Sequence, residues 1–166
     1  MIGKHIVLRR WCENDADALF ALASEPVVGE MARFPTHKDR AESIRVIREI
    51  FCKPESYAVV SSANGTLLGC INVFPRIKGE SVYESVEVNI GYWLGMPFWG
   101  NGYMTEAVKM LCDRCFHSGL FRCRSIIGFT SEDNIGSRRV MEKSGFHLVE
   151  ARDGTCHYKI SRQLDS

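Results

Sequence analysis

Proline is scarce in this sequence, and neither sign of charge dominates it. Only 5 of the 166 residues are proline, while 45% are hydrophobic and 25% are charged, which excludes a disordered, collagen-like or coiled-coil chain. The 21 basic side chains nearly balance the 20 acidic ones, so no overall field attracts nucleic acid or an anionic membrane. We therefore expect a globular protein without a nucleic-acid partner.

A long unbroken apolar segment is also lacking. The apolar run before Arg9 is too short for a signal peptide. The longest uncharged run, residues 88–105, is interrupted by glycines and by Pro97, and lipid would leave such a broken backbone without hydrogen-bond partners. We therefore expect no membrane association and a cytoplasmic protein. No repeat or linker divides the chain, which predicts a single domain over residues 1–166.

Cysteine is plentiful, but nothing in its pattern requires a metal. Seven cysteines without a secretory signal indicate a reducing compartment and free thiols. Cys112 and Cys115 form a Cys-x-x-Cys pair with His117 and Cys123 nearby, a spacing that some zinc sites use. Both cysteines of the pair fall on the apolar face of a predicted helix, and no second such pair exists. We therefore expect buried thiols and no metal site.

The spacing of apolar residues predicts alternating helices and strands. Asn14, Thr36 and Asn134 are predicted to cap helices, and residues 26–35 to form an irregular loop. Asn64-Gly65 predicts a tight hairpin turn. Strands are predicted over residues 5–11, 56–63, 66–74, 86–94, 122–130, 146–152 and 155–162. The order predicts an α/β fold, with a mixed, mostly antiparallel sheet of about seven strands flanked by about four helices and parallel only across the helix at 102–118.

A glycine-rich turn at residues 99–102 precedes the most regular predicted helix. Free amides at a helix N-terminus, with glycines that let a ligand approach the backbone, suit a pyrophosphate. The turn does not match the dinucleotide-binding fingerprint, because Thr105 stands where a third glycine is needed. It is not a P-loop either, since no Gly-Lys-Ser/Thr follows. The alternative is a tight turn that needs glycine only for its φ angles.

Four passages of the sequence carry a resemblance to a known family. They are Ile90-Gly91-Tyr92-Trp93-Leu94, Trp99-Gly100-Asn101-Gly102-Tyr103-Met104-Thr105-Glu106-Ala107, Asn134-Ile135-Gly136-Ser137 and Glu142-Lys143-Ser144-Gly145-Phe146. Together they resemble the GNAT superfamily of N-acetyltransferases, most closely the ribosomal-protein N-terminal acetyltransferases of the RimJ/RimL type. The resemblance implies the GNAT fold and acetyl-CoA as co-substrate.

The resemblance also implies which residues contact acetyl-CoA. The family's phosphate-binding loop reads Gln/Arg-x-x-Gly-x-Gly/Ala, and this chain departs from it with Trp99 at the first position and Met104 at the last. Main-chain amides of residues 100–105 are still expected to hold the pyrophosphate. The complete implied set is Trp93, Leu94, Trp99, Gly100, Asn101, Gly102, Tyr103, Met104, Thr105, Asn134 and Ser137.

The chemistry needs a neutral amine and help for the departing thiolate. Many relatives carry glutamate where this chain has Asn89, so Glu87, two residues away on the same strand face, is a candidate base, while Asn89 is a candidate for orienting a water. A solvated acidic residue is the alternative interpretation of Glu87. The tyrosine that many members place in the last helix corresponds to Met141, and RimJ/RimL-like members place a serine at Ser137, which we expect to hydrogen-bond the developing thiolate.

The identity of the acceptor is left open by the sequence. The resemblance implies a pocket walled by residues 25–36, the Asp153-Gly154 turn and the strand with Glu87. The RimJ/RimL likeness favours a peptide α-amine, and a small molecule such as a polyamine or an antibiotic is the alternative. Further alternatives are a non-catalytic acyl-CoA-binding module, another donor such as succinyl-CoA, and a nucleotide-binding protein. A homodimer is kept open beside a monomer.

Overall fold

The computed structural model describes residues 1–162, which contain seven strands and five α-helices. The strands are β1 (Ile6–Arg9), β2 (Ser56–Ser61), β3 (Leu67–Pro75), β4 (Glu87–Leu94), β5 (Ser125–Ser131), β6 (His147–Arg152) and β7 (Thr155–Ser161). The helices are α1 (Ala16–Ala23), α2 (Pro26–Ala32), α3 (Arg40–Val46), α4 (Tyr103–His117) and α5 (Ile135–Lys143). The sheet has the order β1-β2-β3-β4-β5-β7-β6. As predicted it is mixed, with β5 parallel to β4 and antiparallel to β7.

The chain divides into two compact units. The first comprises residues 1–72 and 92–107, and the second comprises residues 73–91 and 108–162. In the first unit, the apolar face of α1 packs on one face of β2, because apolar residues recur at helical spacing in α1 and at alternating positions in β2. The buried residues of this cluster are Ala16, Leu19, Ala23, Ile47, Ala58, Val60 and Leu67.

In the second unit, α5 packs directly onto β5. A Cβ atom at Gly128 would lie 2.1 Å from the methyl carbon of Met141, so only glycine admits the methionine at this point. Asn134 caps α5 as predicted, since its side chain accepts a hydrogen bond of 3.0 Å from the amide of Ser137. Met141, in the last turn of α5, is therefore a fully buried core residue. The helix begins where the sequence predicts.

The predictions for residues 12–40 are wrong in three places. Residues 26–35 are not an irregular loop, because α2 occupies Pro26–Ala32; Pro26 stands in the first turn, where its missing N–H costs nothing. Asp39 caps α3, which leaves Thr36 outside the helix. Asn14 lies within a short 3₁₀ turn, Glu13–Asp15, and it is Asp15 whose carboxylate accepts the Cys12 amide at 3.0 Å.

The Asx-Gly pairs at two hairpin turns, Asn64-Gly65 and Asp153-Gly154, behave differently. Asp153 and Gly154 both have positive φ, at 50° and 74°, as the tight turn joining β6 and β7 requires. At the β2–β3 turn only Gly65 has positive φ, so the two-residue turn predicted there is wrong. The side chain of Asn64 instead accepts the Thr66 amide at 3.1 Å and closes a longer loop.

Over residues 1–162, no helix combines the length and the apolar character that crossing a membrane would require.

Candidate active site

The glycine-rich loop between β4 and α4 is held by two of its own side chains. The indole nitrogen of Trp99 donates to the Leu94 carbonyl at 2.8 Å, which ties the loop to the end of β4. The side-chain amide of Asn101 donates to the carbonyls of Phe98 and Trp99 at 3.2 and 3.1 Å. Trp99 and Asn101 therefore shape the loop with their side chains, a role that the motif comparison alone does not give.

The main chain of this loop is open to a ligand. Gly100 and Gly102 have φ of 78° and 79°, and a Cβ atom at either position would meet nothing within 4 Å. The first helical bond of the loop runs from the Glu106 amide to the Gly102 carbonyl. Among the described residues, no acceptor takes a hydrogen bond from the amides of residues 100–105. Unbonded amides at the start of a 15-residue helix have the arrangement that could hold an anion.

The neighbouring end of β4 lies beside an aromatic cluster of the first unit. Phe34 packs against Trp93 with ring centroids 5.5 Å apart, and the centroid of the His37 ring lies 6.1 Å from that of Phe34. His37 is buried, and its Nδ1 lies 2.8 Å from the Ser43 hydroxyl. Burial lowers the pKa of His37, so this imidazole is neutral at pH 7. Phe34 and Trp93 therefore form an apolar wall at this end of β4.

In the second unit, Glu87 is heavily engaged. Its carboxylate accepts hydrogen bonds from Lys159 Nζ at 2.6 Å, from the Ser125 hydroxyl at 2.9 Å and from Arg76 at 3.4 Å. The bonds from Lys159 and Ser125 lower the pKa of Glu87 and outweigh the opposing effect of burial. Glu87 is therefore an ionised carboxylate at neutral pH and a weak proton acceptor, since a general base is most effective when its pKa is near the working pH.

Asn89 differs from Glu87 because its side chain is unengaged. It lies two residues further along β4 on the same face, and its Oδ1 is buried without a hydrogen-bond partner. The β4–β5 ladder continues one residue past Asn89, to the pair Ile90 and Gly128, while β4 itself runs on to Leu94. Asn89 thus keeps its hydrogen-bonding capacity near the end of the paired part of β4.

Ser137 lies in the first turn of α5, one turn before Met141. Its amide is held by the Asn134 cap, so the backbone of both residues is fixed by the helix start. Met141 lies in the core against Gly128 and carries no proton to donate. Of the two helix positions considered from the sequence, only Ser137 has an ionisable or hydrogen-bonding side chain.

The Cys-x-x-Cys pair belongs to the core, as predicted. Cys112 and Cys115 are both buried on α4, and burial raises the pKa of Cys112 to about 12. Within residues 1–162, no group of three or more His, Cys, Asp or Glu side chains is arranged to hold a metal ion.

Sequence reasoning missed the residues that surround Glu87. Lys159 and Ser125 are 72 and 38 residues away from it in the chain. The only signal was the alternation of polar and apolar residues in the last strand, which places Lys159 and His157 on one face. That pattern predicts a polar face but does not identify what the face contacts.

The sequence of this chain is similar to those of known proteins. The sequence signature of the acetyltransferase (GNAT) domain family matches residues 5–147. A relative from Bacillus subtilis (strain 168), the probable N-acetyltransferase YjcK, is 30% identical over 164 residues, covering 87% of this chain and 82% of the relative.

Two crystal structures share the fold. An acetyltransferase (GNAT family) from Bacillus anthracis superposes with a TM-score of 0.82 at 16% identity, covering 96% of each chain. The microcin C7 self-immunity acetyltransferase MccE, solved in complex with acetyl-CoA and AMP, superposes with a TM-score of 0.76 at 19% identity, covering 96% of this chain and 93% of MccE.

The family signature spans most of the chain. YjcK, a relative that is 30% identical to this chain, carries the name of an N-acetyltransferase, which agrees with that family. The seven-stranded mixed sheet, parallel at β4 and β5, is the architecture that the resemblance implied. The chain therefore belongs to the acetyltransferase (GNAT) domain family and is an N-acetyltransferase.

Proposed function

We propose that this N-acetyltransferase uses acetyl-CoA to acetylate a primary amine by direct attack of the amine on the thioester. One observation carries the proposal: the unbonded amides of residues 100–105, grouped at the start of α4. Such donors stabilise a diphosphate through charge-assisted hydrogen bonds and the helix dipole. MccE, which has the same fold, binds acetyl-CoA in its crystal structure, and this supports the assignment of the donor.

The departures from the family's loop do not weaken this proposal. Trp99, in the place of Gln or Arg, fastens the loop to Leu94 through its indole, and Met104 needs only its backbone amide to act as a donor. Positive φ at Gly100 and Gly102 lets consecutive amides point the same way. The donor set therefore suits a diphosphate without any side-chain cation from the loop.

The remaining contacts with the donor follow from the resemblance. We propose that the backbone of Trp93 and Leu94 and the side chain of Asn134 hold the pantetheine arm. The Leu94 carbonyl already accepts one hydrogen bond from Trp99, and a carbonyl oxygen has a second lone pair to offer. Asn134 already caps α5, which fixes the orientation of its amide.

Acetyl-CoA supplies the activated acetyl group, and the chain supplies positioning and hydrogen bonds. We propose that Asn89 orients the acceptor amine or a water beside it, because its amide is unengaged. Glu87 stays ionised under the influence of Lys159, so its role is electrostatic rather than that of the principal base. Ser137 hydrogen-bonds the developing thiolate, in line with its place in RimJ/RimL-like proteins.

For the acceptor, we propose the α-amine of a protein N-terminus, by analogy with the RimJ/RimL type. The apolar wall formed by Phe34 and Trp93 is suited to packing against a peptide side chain. The alternative is a small molecule, and the self-immunity function named for MccE keeps an antibiotic acceptor in consideration. A cytoplasmic location is a prediction from the sequence, which leaves both a monomer and a homodimer open.

The non-catalytic acyl-CoA-binding module considered from the sequence disagrees with the family assignment. Its support is limited to Asn89 and Met141, neither of which can act as a base or an acid. Thermal denaturation with and without acetyl-CoA, followed by mass spectrometry of a panel of peptides, polyamines and antibiotics, separates the two. We expect a rise in melting temperature with acetyl-CoA and a 42 Da gain, the mass of one acetyl group in place of a hydrogen, on at least one amine. Stabilisation without any acetylated product would favour the binding module, and stabilisation by ATP alone would contradict both.

A further inference from the structure

The strand β6 is exposed along its whole length. It lies at one end of the sheet order, with β7 as its neighbour, and each of its six residues is exposed to solvent. Leu148 and Val149 are 46% and 52% exposed, so apolar side chains stand beside the unpaired backbone of this edge. Such an edge is a template for another strand unless the protein protects it.

Most of the usual means of protecting a sheet edge are missing from β6. The strand contains no proline and no lysine. One protective feature is present, a bulge at Val149, where the register with β7 shifts between Leu148 and Glu150. The bulge leaves residues 150–152, next to the turn into β7, as the regular part of the edge. Another strand that adds to β6 in a regular ladder therefore pairs with these residues.

The turn into β7 determines which backbone groups of this part point outward. Arg152 and Thr155 flank the two-residue turn and form its hydrogen-bonded pair, so the next pair, Ala151 and Cys156, is a non-hydrogen-bonded one. The N–H and C=O groups of Ala151 consequently point away from β7. Within residues 1–162, no other group forms a hydrogen bond with either of them. Ala151 thus offers one donor and one acceptor at the edge of the sheet.

A second copy of the chain has matching groups for this edge. When two antiparallel strands are related by a two-fold axis, Ala151 can lie directly opposite the Ala151 of the second copy. Two hydrogen bonds then satisfy the outward N–H and C=O groups of both residues. The same register sets Glu150 opposite the Arg152 of the second copy, and Arg152 opposite its Glu150, with paired side chains on the same face of the sheet.

The charges of these two residues are available for such a contact. Within residues 1–162, the side chain of Glu150 forms no ion pair and no hydrogen bond. Arg152 Nε lies 3.3 Å from the neighbouring Asp153, but these side chains are 76% and 88% exposed, and so exposed a pair contributes little. Both charges of the proposed contact are therefore free to pair between two copies.

The charge pattern also selects one register among the alternatives. If the copies shift so that Ala151 lies opposite Leu148, Arg152 lies opposite the basic residue His147 and Glu150 lies opposite Val149. Within β6, only the register centred on Ala151 sets Glu150 opposite an arginine. Because like charges directly opposite each other destabilise a strand pair and opposite charges stabilise it, the sequence of β6 favours this register.

We propose that β6 pairs with the β6 of a second copy of this chain, antiparallel and centred on Ala151, and so forms a homodimer with a continuous sheet. Two backbone hydrogen bonds and two symmetric ion pairs between Glu150 and Arg152 hold the strands together. Because the regular part of the edge is short, the association belongs to the small-interface class and depends on protein concentration. The inference uses only the second unit and is independent of acetyl-CoA and of the acceptor.

Sedimentation velocity of the full chain over about a hundredfold range of concentration tests the proposal. We expect a monomer at the lowest concentration and a dimer at the highest. Glu150→Arg and Arg152→Glu each set like charges opposite each other twice, so each change alone should weaken dimerisation at least about tenfold. The variant that carries both changes restores opposite charges and should recover the wild-type dissociation constant to within about threefold.

Ala151→Pro tests the backbone contact. It removes the outward N–H and leaves the hydrogen bonds to β7 intact, so we expect a monomer whose melting temperature matches that of dilute wild-type protein. Arg139→Glu, which reverses an exposed charge on α5, is the matched control and should dimerise like the wild type. A chain that stays monomeric throughout, a dimer that survives Ala151→Pro, or a double charge variant no stronger than the single ones would overturn the inference.

Discussion

Lys159 and Glu87 form an ion pair of 2.6 Å across β5, linking the last strand to the strand that carries the candidate base. Each side chain is one-third exposed. Because the ammonium of Lys159 is the largest cause of the lowered pKa of Glu87, this contact determines how the carboxylate can take part in the reaction. The ion pair keeps the Glu87 carboxylate ionised and makes it a weak proton acceptor.

Replacement of Glu87 by glutamine should therefore reduce turnover only modestly. Loss of a true general base costs about 10²–10⁴-fold in rate, whereas we expect Glu87→Gln to lower kcat by less than about tenfold. The measurement is steady-state kinetics with an amine from the acceptor panel that the enzyme acetylates. Asp133→Asn, a charge-matched change outside the strands, serves as the control. A drop in kcat of a thousandfold, with the fold intact, would restore Glu87 as the base.

The same ion pair should make stability depend on acid pH. A carboxyl whose folded-state pKa lies below its ordinary value of 4.5 stabilises the protein above that pH. The contribution disappears as the pH falls through the lowered pKa. Lys159→Met should thus cost about 0.5 kcal/mol at pH 7, the scale of a partly exposed pair, and progressively less below pH 4.5. Urea unfolding of both proteins at several pH values measures this, and a difference that grows in acid would contradict the assignment.

Ser137 should affect turnover more than donor binding. Removing its hydroxyl takes away one hydrogen bond to the developing thiolate, which is worth about tenfold or more in rate. We expect Ser137→Ala to lower kcat accordingly while the Kd for acetyl-CoA changes less than about twofold. Ser62→Ala is the control, since this hydroxyl lies in the loop between β2 and β3 and donates to the Lys4 carbonyl at 3.3 Å. A fully active Ser137→Ala enzyme would remove this residue from the mechanism.

The starts of α4 and α5 could be predicted from the sequence because their signals are local. Asn134 caps α5, and Gly102 precedes α4, for reasons contained within a few residues on either side. The region around α2 could not be predicted in the same way. Residues 26–35 were predicted to form an irregular loop, although a proline such as Pro26 also fits the first turn of a helix, and the local sequence does not distinguish the two cases.

The candidate site was predictable in its residue types but not in its electrostatics. The Asn89 and Glu87 positions follow from the motif and from strand alternation. That Glu87 is neutralised by Lys159, and that Asn89 is left without a partner, depends on the pairing of β4, β5 and β7. Such pairings join residues 24 to 38 positions apart, and no short-range pattern specifies their register.

The cysteines give a direct test of the packing. Cys12 and Cys52 are exposed, and the other five thiols are buried. Burial also raises the pKa of Cys70 and Cys112 to about 12, so these remain protonated and unreactive at pH 8. Brief treatment of the native protein with iodoacetamide should modify two cysteines, and denatured protein should be modified at seven. Rapid modification of Cys112 or Cys115 in the native protein, or protection of that pair that is lost with a chelator, would contradict the buried-core assignment.

The central claim is that the amides of residues 100–105 hold the diphosphate of acetyl-CoA, and a pair of glycine variants tests it most directly. Gly102 and Gly79 both have positive φ and open space around the missing Cβ, so valine at either position imposes a similar backbone strain of about 1–3 kcal/mol. Of these two glycines, only Gly102 belongs to the glycine-rich loop between β4 and α4. Titration calorimetry with acetyl-CoA should show at least about tenfold weaker binding for Gly102→Val and wild-type affinity for Gly79→Val. Equal affinities in the two folded variants would contradict the account.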